Sequence, residues 1–190
     1  MKITHPQIID AAITVFNTDP SATVEAVAEK AGITSRTLYR YFNDRAQLLS
    51  ACKDTLAETC KAAMGTAFAS GSDALQQLEL TLYAGIKCGT KYAFFDKLNQ
   101  AIQQGTTASA SQHNEFGQIK QQWVALVIQL QDQGVITHDL TPAWIFKLFS
   151  GMINTTISAI ASGDVALNDV ERFAWISFSN SLGIKRKISA

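Results

Sequence analysis

The chain has 190 residues, of which 47% are hydrophobic and 17% charged, and its 16 lysines and arginines balance 16 aspartates and glutamates. This composition suits a globular protein with a sizeable core and excludes a domain-wide basic field, so any nucleic-acid contact has to come from a local cluster. No apolar run approaches the ~18 residues that cross a bilayer, and residues 1–6 do not resemble a secretory signal, so we expect a cytoplasmic protein without a membrane span.

Residues that commonly carry catalysis or bind metals form no recognisable pattern. The sequence has three cysteines, Cys52, Cys60 and Cys88. Their odd number and the lack of C-x-x-C spacing argue against a disulfide framework or a zinc site. The three histidines are far apart, and no nucleophile–base set, glycine-rich phosphate loop or carboxylate pair stands out. We therefore predict a protein that is not an enzyme and that holds neither a metal nor a cofactor.

The first predicted helix begins near the N-terminus. Thr4 is a cap candidate, Pro6 is an early helical proline, and Gln7 stands at the reach-back position of a capping box. Apolar residues then recur at helical spacing until Thr18, Asp19 and Pro20 end the run. A helix is therefore expected over about residues 5–17.

Two short helices are predicted next. Thr23 can cap a helix that Gly32 terminates, and Thr34 can cap another that ends near Phe42. The later signals are looser but keep helical spacing, and no segment alternates with period two. Further helices are predicted over about 43–65, 72–86, 91–104, 116–131, 142–162 and 168–183, with a polar linker at 105–111. Asn168 and Glu171 form a capping-box pattern for the last helix. The fold class is therefore all-α, with about nine helices.

Residues 24–42 form the most informative segment, because its spacing suits a helix-turn-helix. Ala28 is small where two helices would cross, and Gly32 can adopt the left-handed conformation that a tight turn requires. Ile33, Leu38 and Phe42 would pack inward. The outer face is then formed by Ser35, Arg36, Thr37, Tyr39, Arg40 and Tyr41. Arginine can donate two hydrogen bonds to guanine, and hydroxyls can contact phosphates or bases.

Residues 8–49 resemble the DNA-binding domain of the TetR family. The resemblance lies in I-I-D-A-A-I-T-V-F, A-T-V-E-A-V-A-E-K-A-G-I-T, T-L-Y-R-Y-F and R-A-Q-L-L. It implies an all-α homodimer with a DNA-binding domain, here residues 1–48, and an effector-binding and dimerisation domain, here residues 49–190. It also implies that an inducer releases operator DNA. The chain departs from the family pattern at His5, Pro6 and Arg36, where many members have a basic residue before the first helix and a glycine before Thr-Leu-Tyr.

The resemblance also implies which residues contact DNA. The predicted contact residues are Thr23, Thr34, Ser35, Arg36, Thr37, Tyr39, Arg40, Tyr41 and Arg45. Arg45 corresponds to a basic phosphate contact that opens the fourth helix. Either tyrosine ring could instead lean onto the helix beneath it, which would make that residue structural.

The C-terminal part suggests a dimer surface but identifies no effector. The last two predicted helices, about 142–162 and 169–183, are apolar over more than one face and include small residues that permit close helix approach. The aromatic residues of this region suit either a core or an apolar pocket between helices.

The sequence thus predicts a homodimeric transcriptional regulator, a repressor that binds a palindromic operator and is released by a small, partly apolar effector. Three alternatives stay open. They are an activator, a DNA-binding protein of this fold that acts through a partner protein, and a helical enzyme or ligand carrier that has kept the fold. Operator sequence, effector and ligand-binding residues are not identified.

Overall fold

A computed structural model describes residues 3–91 and 112–184, and every regular element in these two ranges is an α-helix, which confirms the all-α prediction. The eight helices of the described residues are α1 (His5–Thr18), α2 (Val24–Lys30), α3 (Ser35–Tyr39), α4 (Arg45–Ser70), α5 (Ala74–Lys91), α6 (Gln112–Asp132), α7 (Pro142–Ser162) and α8 (Leu167–Ser181). The helix predicted over 91–104 and the linker predicted at 105–111 lie outside the described residues, apart from Lys91, which ends α5. None of the described helices has the length and apolarity needed to span a membrane.

The described residues form two compact units, one containing residues 3–59 and the other residues 60–90 and 112–184. In the first unit, the predicted caps are present. The Thr4 amide donates to Gln7 Oε1 at 2.9 Å, and the Thr23 and Thr34 hydroxyls accept from the amides of Ala26 and Thr37. These bonds satisfy amides that the first turn of a helix leaves without a partner. Three local sequence signals therefore fix where α1, α2 and α3 begin.

One apolar core holds the first unit together. Phe16, Val27, Leu38 and Leu48 are fully buried, one from each of its four helices. Burying a side chain of this size contributes about 1.5–3 kcal/mol. Helices as short as α2 and α3 are not stable alone in water, so this shared core is what keeps them folded.

Several helix ends differ from the sequence prediction, and α5 continues to Lys91 instead of ending near residue 86. Helix α4 continues past Gly65 to Ser70, because Met64 and Phe68 pack against the core of the second unit. That packing outweighs the ~1 kcal/mol that a glycine costs inside a helix. Helix α6 begins at Gln112 rather than at 116, and α3 ends at Tyr39 rather than near Phe42.

The start of α8 corrects the predicted capping box. Its N-cap is Ala166, which offers no side-chain hydrogen bond, and Asn168 lies inside the helix. Val165, directly before the cap, packs against the core in which Val170 and Ala174 are buried, so packing on both sides of Ala166 holds the start of the helix here. Packing therefore determines this boundary, and the Asn168–Glu171 pattern does not.

Aromatic side chains fill the middle of the second unit. The Trp123 ring lies 5.3 Å from Phe146 and 4.8 Å from Phe149, measured between centroids, and Phe149 lies 5.9 Å from Phe178. Helices α5 and α7 approach closely at Gly85, where an added Cβ would lie 2.5 Å from Ile153 Cδ1. This unit is a closely packed helical core with helices α6, α7 and α8 around the aromatic cluster.

Candidate nucleic-acid interface

Helices α2 and α3 form a helix-turn-helix built on a glycine turn. Gly32 has φ +68°, the left-handed conformation predicted for it. The Ile33 amide donates to the Ala28 carbonyl at 3.0 Å and closes the turn. Ala28 is 1% exposed, so the chain approaches closely there, as its small side chain predicted. The inward positions Leu38 and Phe42 are buried as well.

Two arginines dominate the outer surface of α3. Arg36 and Arg40 are both exposed, and within the described ranges neither guanidinium group has an ion pair or a hydrogen bond to another residue. They stand four residues apart, which places them on one side of the helix and its C-terminal turn. Their guanidinium groups are therefore available to an external partner that accepts hydrogen bonds.

The predicted hydroxyl contacts have intramolecular roles as well. Thr23 and Thr34 cap α2 and α3, and the Thr34 and Thr37 hydroxyl oxygens lie 2.9 Å apart. Ser35 is half-buried. The Thr23 hydroxyl is hydrogen-bonded to the Glu25 carboxylate. The Thr34–Thr37 pair uses one of its two hydroxyl protons internally, so the other remains able to contact a phosphate.

Tyr39 has a partner on α2 that sequence inspection did not find. The ring is 44% exposed, and its hydroxyl donates to Glu25 Oε1 at 3.3 Å. Hydrogen bonds from its own backbone amide and from Thr23 lower the pKa of Glu25. The negative charge of Glu25 raises the pKa of Tyr39. The two residues are 14 positions apart in sequence, a separation at which no local pattern links them.

Tyr41 is held against the N-terminal segment. Its hydroxyl donates to the Ile3 carbonyl at 3.0 Å, and the ring is half-buried next to His5, with 6.4 Å between the ring centroids. Of the two alternatives for Tyr41, the structure therefore has the ring leaning onto neighbouring residues. A contact between Tyr41 and DNA remains a prediction.

Arg45 joins the beginning of α4 to the loop between α1 and α2. Its guanidinium donates to the carbonyls of Pro20 and Ala22, and its Cζ atom lies 5.1 Å from the centroid of the Phe16 ring. A guanidinium has five N–H donors, so some remain for a phosphate contact. The predicted contact residues thus include two exposed arginines and a third arginine that also stabilises the fold.

Comparison with known proteins agrees with this geometry. Residues 8–52 match the family model of bacterial regulatory proteins of the tetR family. None of the curated proteins matches the chain.

Several solved structures share the fold over nearly the whole chain. PfmR from Thermus thermophilus is 17% identical with a TM-score of 0.73, and the alignment covers 98% of this chain and 100% of PfmR. LfrR from Mycobacterium smegmatis, in complex with proflavine, is 20% identical with a TM-score of 0.69, covering 95% and 96%. The ketosteroid transcriptional regulator of Mycobacterium tuberculosis is 15% identical with a TM-score of 0.71, covering 97% and 98%. These similarities establish the TetR fold.

Proposed function

The chain carries the N-terminal domain of the tetR family of bacterial regulatory proteins at residues 8–52, and from this premise we propose that it is a homodimeric transcriptional repressor. In this proposal it binds a palindromic operator in the cytoplasm and is released by a small, partly apolar effector. The observation that supports DNA binding most directly is that Arg36 and Arg40 are exposed on the helix-turn-helix within this matched segment. Both can contact guanine or phosphate.

A dimer is needed because one recognition helix is short. Helix α3 has five residues, too few to specify an operator alone. Two linked half-sites raise affinity through effective concentration and predict a palindrome.

The proposed dimer contact lies on α7 and α8. Large apolar side chains are exposed there, with Trp144 at 56%, Leu167 at 70% and Phe173 at 44%. Exposed positions of α7 also include small residues, such as Gly151 and Thr155, which allow two helices to approach. Gly151→Lys should therefore convert the dimer to a monomer in sedimentation velocity, whereas Gln129→Lys, on the exposed side of α6, should not. A Gly151→Lys protein that is still dimeric would place the contact elsewhere.

The effector site is proposed to lie in the second unit, beside its aromatic cluster. Trp123 is 1% exposed, and its Nε1–H group has no hydrogen-bond partner among the described residues. An unsatisfied buried donor costs about 1–3 kcal/mol, which an acceptor atom on a ligand would recover. A partly apolar effector with a hydrogen-bond acceptor suits this environment, and LfrR was crystallised with proflavine.

Release of operator DNA would follow from a shift in the populations of two conformations of the protein. An effector that binds better to the conformation with lower operator affinity shifts the equilibrium towards that conformation. Because coupling is reciprocal, operator DNA must weaken effector binding by the same factor. In a compound panel, a true effector should therefore raise the melting temperature of the free protein and should release operator at higher concentrations than those that saturate the free protein.

Selection of bound sequences from a random duplex library at stated salt tests the proposed function. We expect enrichment of a palindrome that the Arg36→Ala/Arg40→Ala variant no longer selects. Strong duplex binding without a motif would indicate an architectural role or a partner-dependent one. Absence of binding by ligand-free, folded protein would contradict the proposal.

A further inference from the structure

Resting on the proposed function, we propose that Glu25 and Tyr39 together form a subsite for an exocyclic amino group of adenine or cytosine in the operator major groove. This subsite would add a specific base contact to the contacts of Arg36 and Arg40. It joins the two helices of the helix-turn-helix, because Glu25 lies in the first turn of α2 and Tyr39 ends α3.

The direction of one hydrogen bond carries the inference. The Tyr39 hydroxyl donates its only proton to Glu25 Oε1. The phenol oxygen then has only lone pairs to offer, and an ionised carboxylate is an acceptor as well. Both side chains are exposed. The pair therefore presents acceptors, and no donor, to an external partner.

An acceptor-only pair discriminates between the groups on DNA. Phosphate oxygens are acceptors and carry negative charge, so they cannot bond to this pair and are repelled by the carboxylate. In the major groove, the base donors are the N6 amino group of adenine and the N4 amino group of cytosine. Guanine and thymine present O6, N7 and O4 at that edge, all of them acceptors.

To present only acceptors, the pair needs an ionised Glu25 and a protonated Tyr39, and both residues have these states at neutral pH. Hydrogen bonding from its own amide, from Thr23 and from Tyr39 lowers the pKa of Glu25, so its carboxyl group is ionised. The adjacent charge raises the pKa of Tyr39, so the phenol keeps the proton that it donates. Arg36 lies three residues before Tyr39 on α3, and its positive charge offsets the repulsion that Glu25 exerts on nearby phosphates.

The test compares base preferences of four proteins in the same library selection: wild type, Tyr39→Phe, Glu25→Gln and Glu29→Gln. Phenylalanine keeps the ring and removes the oxygen. Glutamine at 25 keeps one acceptor but introduces two donors, so it can also bond to guanine or thymine. Glu29→Gln is the matched control, because it removes the same charge from an exposed position of the same helix.

We expect the wild-type palindrome to have one adenine or cytosine preference per half-site, and the selected base itself tells which of the two is bound. Tyr39→Phe and Glu25→Gln should each reduce that preference about 3- to 10-fold, the range of one net hydrogen bond. Glu29→Gln should keep the preference, although it raises affinity for all sequences. Melting temperatures verify that each variant is folded.

Three results would overturn the inference. If the wild type selects a palindrome but both subsite variants keep every base preference, the subsite is wrong and the proposed function stands. A preference lost equally in Glu25→Gln and Glu29→Gln would likewise assign the effect to charge alone. If the folded wild type selects no motif, the proposed function fails and the subsite fails with it.

Discussion

The two compact units use their polar residues differently. In residues 3–59, hydroxyl and guanidinium groups form hydrogen bonds that cap helices, hold a loop and link α2 to α3. Two arginines of this unit remain exposed on one surface. In residues 60–90 and 112–184, the buried polar residues Thr81, Thr156 and Ser179 bond to carbonyls of their own helices. Buried Gln131 donates to the Thr137 and Leu140 carbonyls in the loop after α6. Polar geometry thus defines a candidate site in the first unit, whereas apolar packing dominates the second.

This difference explains why function is easier to infer from one unit than from the other. A hydrogen-bonded polar surface restricts which chemical groups can bind, because each donor needs an acceptor. An apolar cluster accepts many ligands of similar size and shape. Within the apolar cluster of the second unit, the buried Trp123 Nε1–H is a donor without a partner among the described residues, so it restricts which ligands can bind there.

The largest effect is expected from removing both exposed arginines. Arg36→Ala/Arg40→Ala should weaken operator binding by at least about 2 kcal/mol, roughly 30-fold in Kd, since one base-contacting arginine contributes about 1–3 kcal/mol. Stability should change by less than about 0.5 kcal/mol, as for other exposed substitutions. Fluorescence anisotropy with the selected operator measures the affinity.

Lys61→Ala is the control for that experiment. Lys61 is also exposed and positively charged, but it lies in the second unit, on α4 and away from the proposed dimer contact. Its removal should leave operator affinity unchanged. Equal losses in Lys61→Ala and in the double variant would show that overall charge, rather than the outer surface of α3, determines binding.

Arg45 should affect folding more than the other two arginines do. Arg45→Ala removes the donors to the Pro20 and Ala22 carbonyls and the contact with Phe16. Hydrogen bonds to charged groups contribute about 1.5–3 kcal/mol, so the free energy of unfolding should fall by about 2 kcal/mol. Urea unfolding of Arg45→Ala beside Arg40→Ala measures the difference. If both variants unfold at the same urea concentration, Arg45 has no structural role.

The sequence predicts local features of the structure better than it predicts contacts between residues that are far apart in the chain. Thr4, Thr23, Thr34 and Gly32 act within a few residues of their own positions, so their caps and turn could be predicted and were found. The Tyr39–Glu25 bond and the Arg45 contacts join residues 14 to 25 positions apart. Such pairs depend on how helices pack, which local patterns do not specify.

In the second unit, packing also overrides local signals. Asn168 and Glu171 have a capping-box spacing, yet α8 starts at Leu167. Gly65 suggested a helix end, yet α4 continues because Met64 and Phe68 pack against the core. The predicted domain boundary at residue 48 and the predicted DNA contacts remain predictions for experiment.

A smaller effect should distinguish two helical glycines of the second unit. A Cβ at Gly85 would lie 2.5 Å from Ile153 Cδ1, whereas a Cβ at Gly151 would meet no atom within 4 Å. Ile153 Cδ1 would have to move to admit a Cβ at Gly85, which offsets the gain in helix propensity, so Gly85→Ala should be about 1–2 kcal/mol less stable than Gly151→Ala. Gly151→Ala should stabilise the isolated chain by up to about 1 kcal/mol. Thermal unfolding at low protein concentration compares them, and equal melting temperatures would contradict the close approach of α5 and α7.

The smallest effect concerns Cys52 and appears only at alkaline pH. Burial, with a further contribution from Asp10, raises the pKa of the Cys52 thiol to about 12. An unfolded thiol ionises near pH ~8.5, so between about pH 8.5 and 12 the unfolded state loses a proton that the folded state keeps. Stability must then fall as the pH rises, by at most about 1.4 kcal/mol per pH unit from this group.

Cys52→Ala removes that contribution while leaving the other alkaline titrations in place. The variant should be less stable than the wild type at pH 7, because it leaves a small cavity in the core of the first unit. From pH 7 to pH 9 this deficit should shrink by about 1 kcal/mol, since only the wild type loses the Cys52 contribution. Urea unfolding at both pH values measures the deficit. A deficit that is the same at pH 7 and pH 9 would mean that the Cys52 thiol ionises as readily in the folded chain as in the unfolded one.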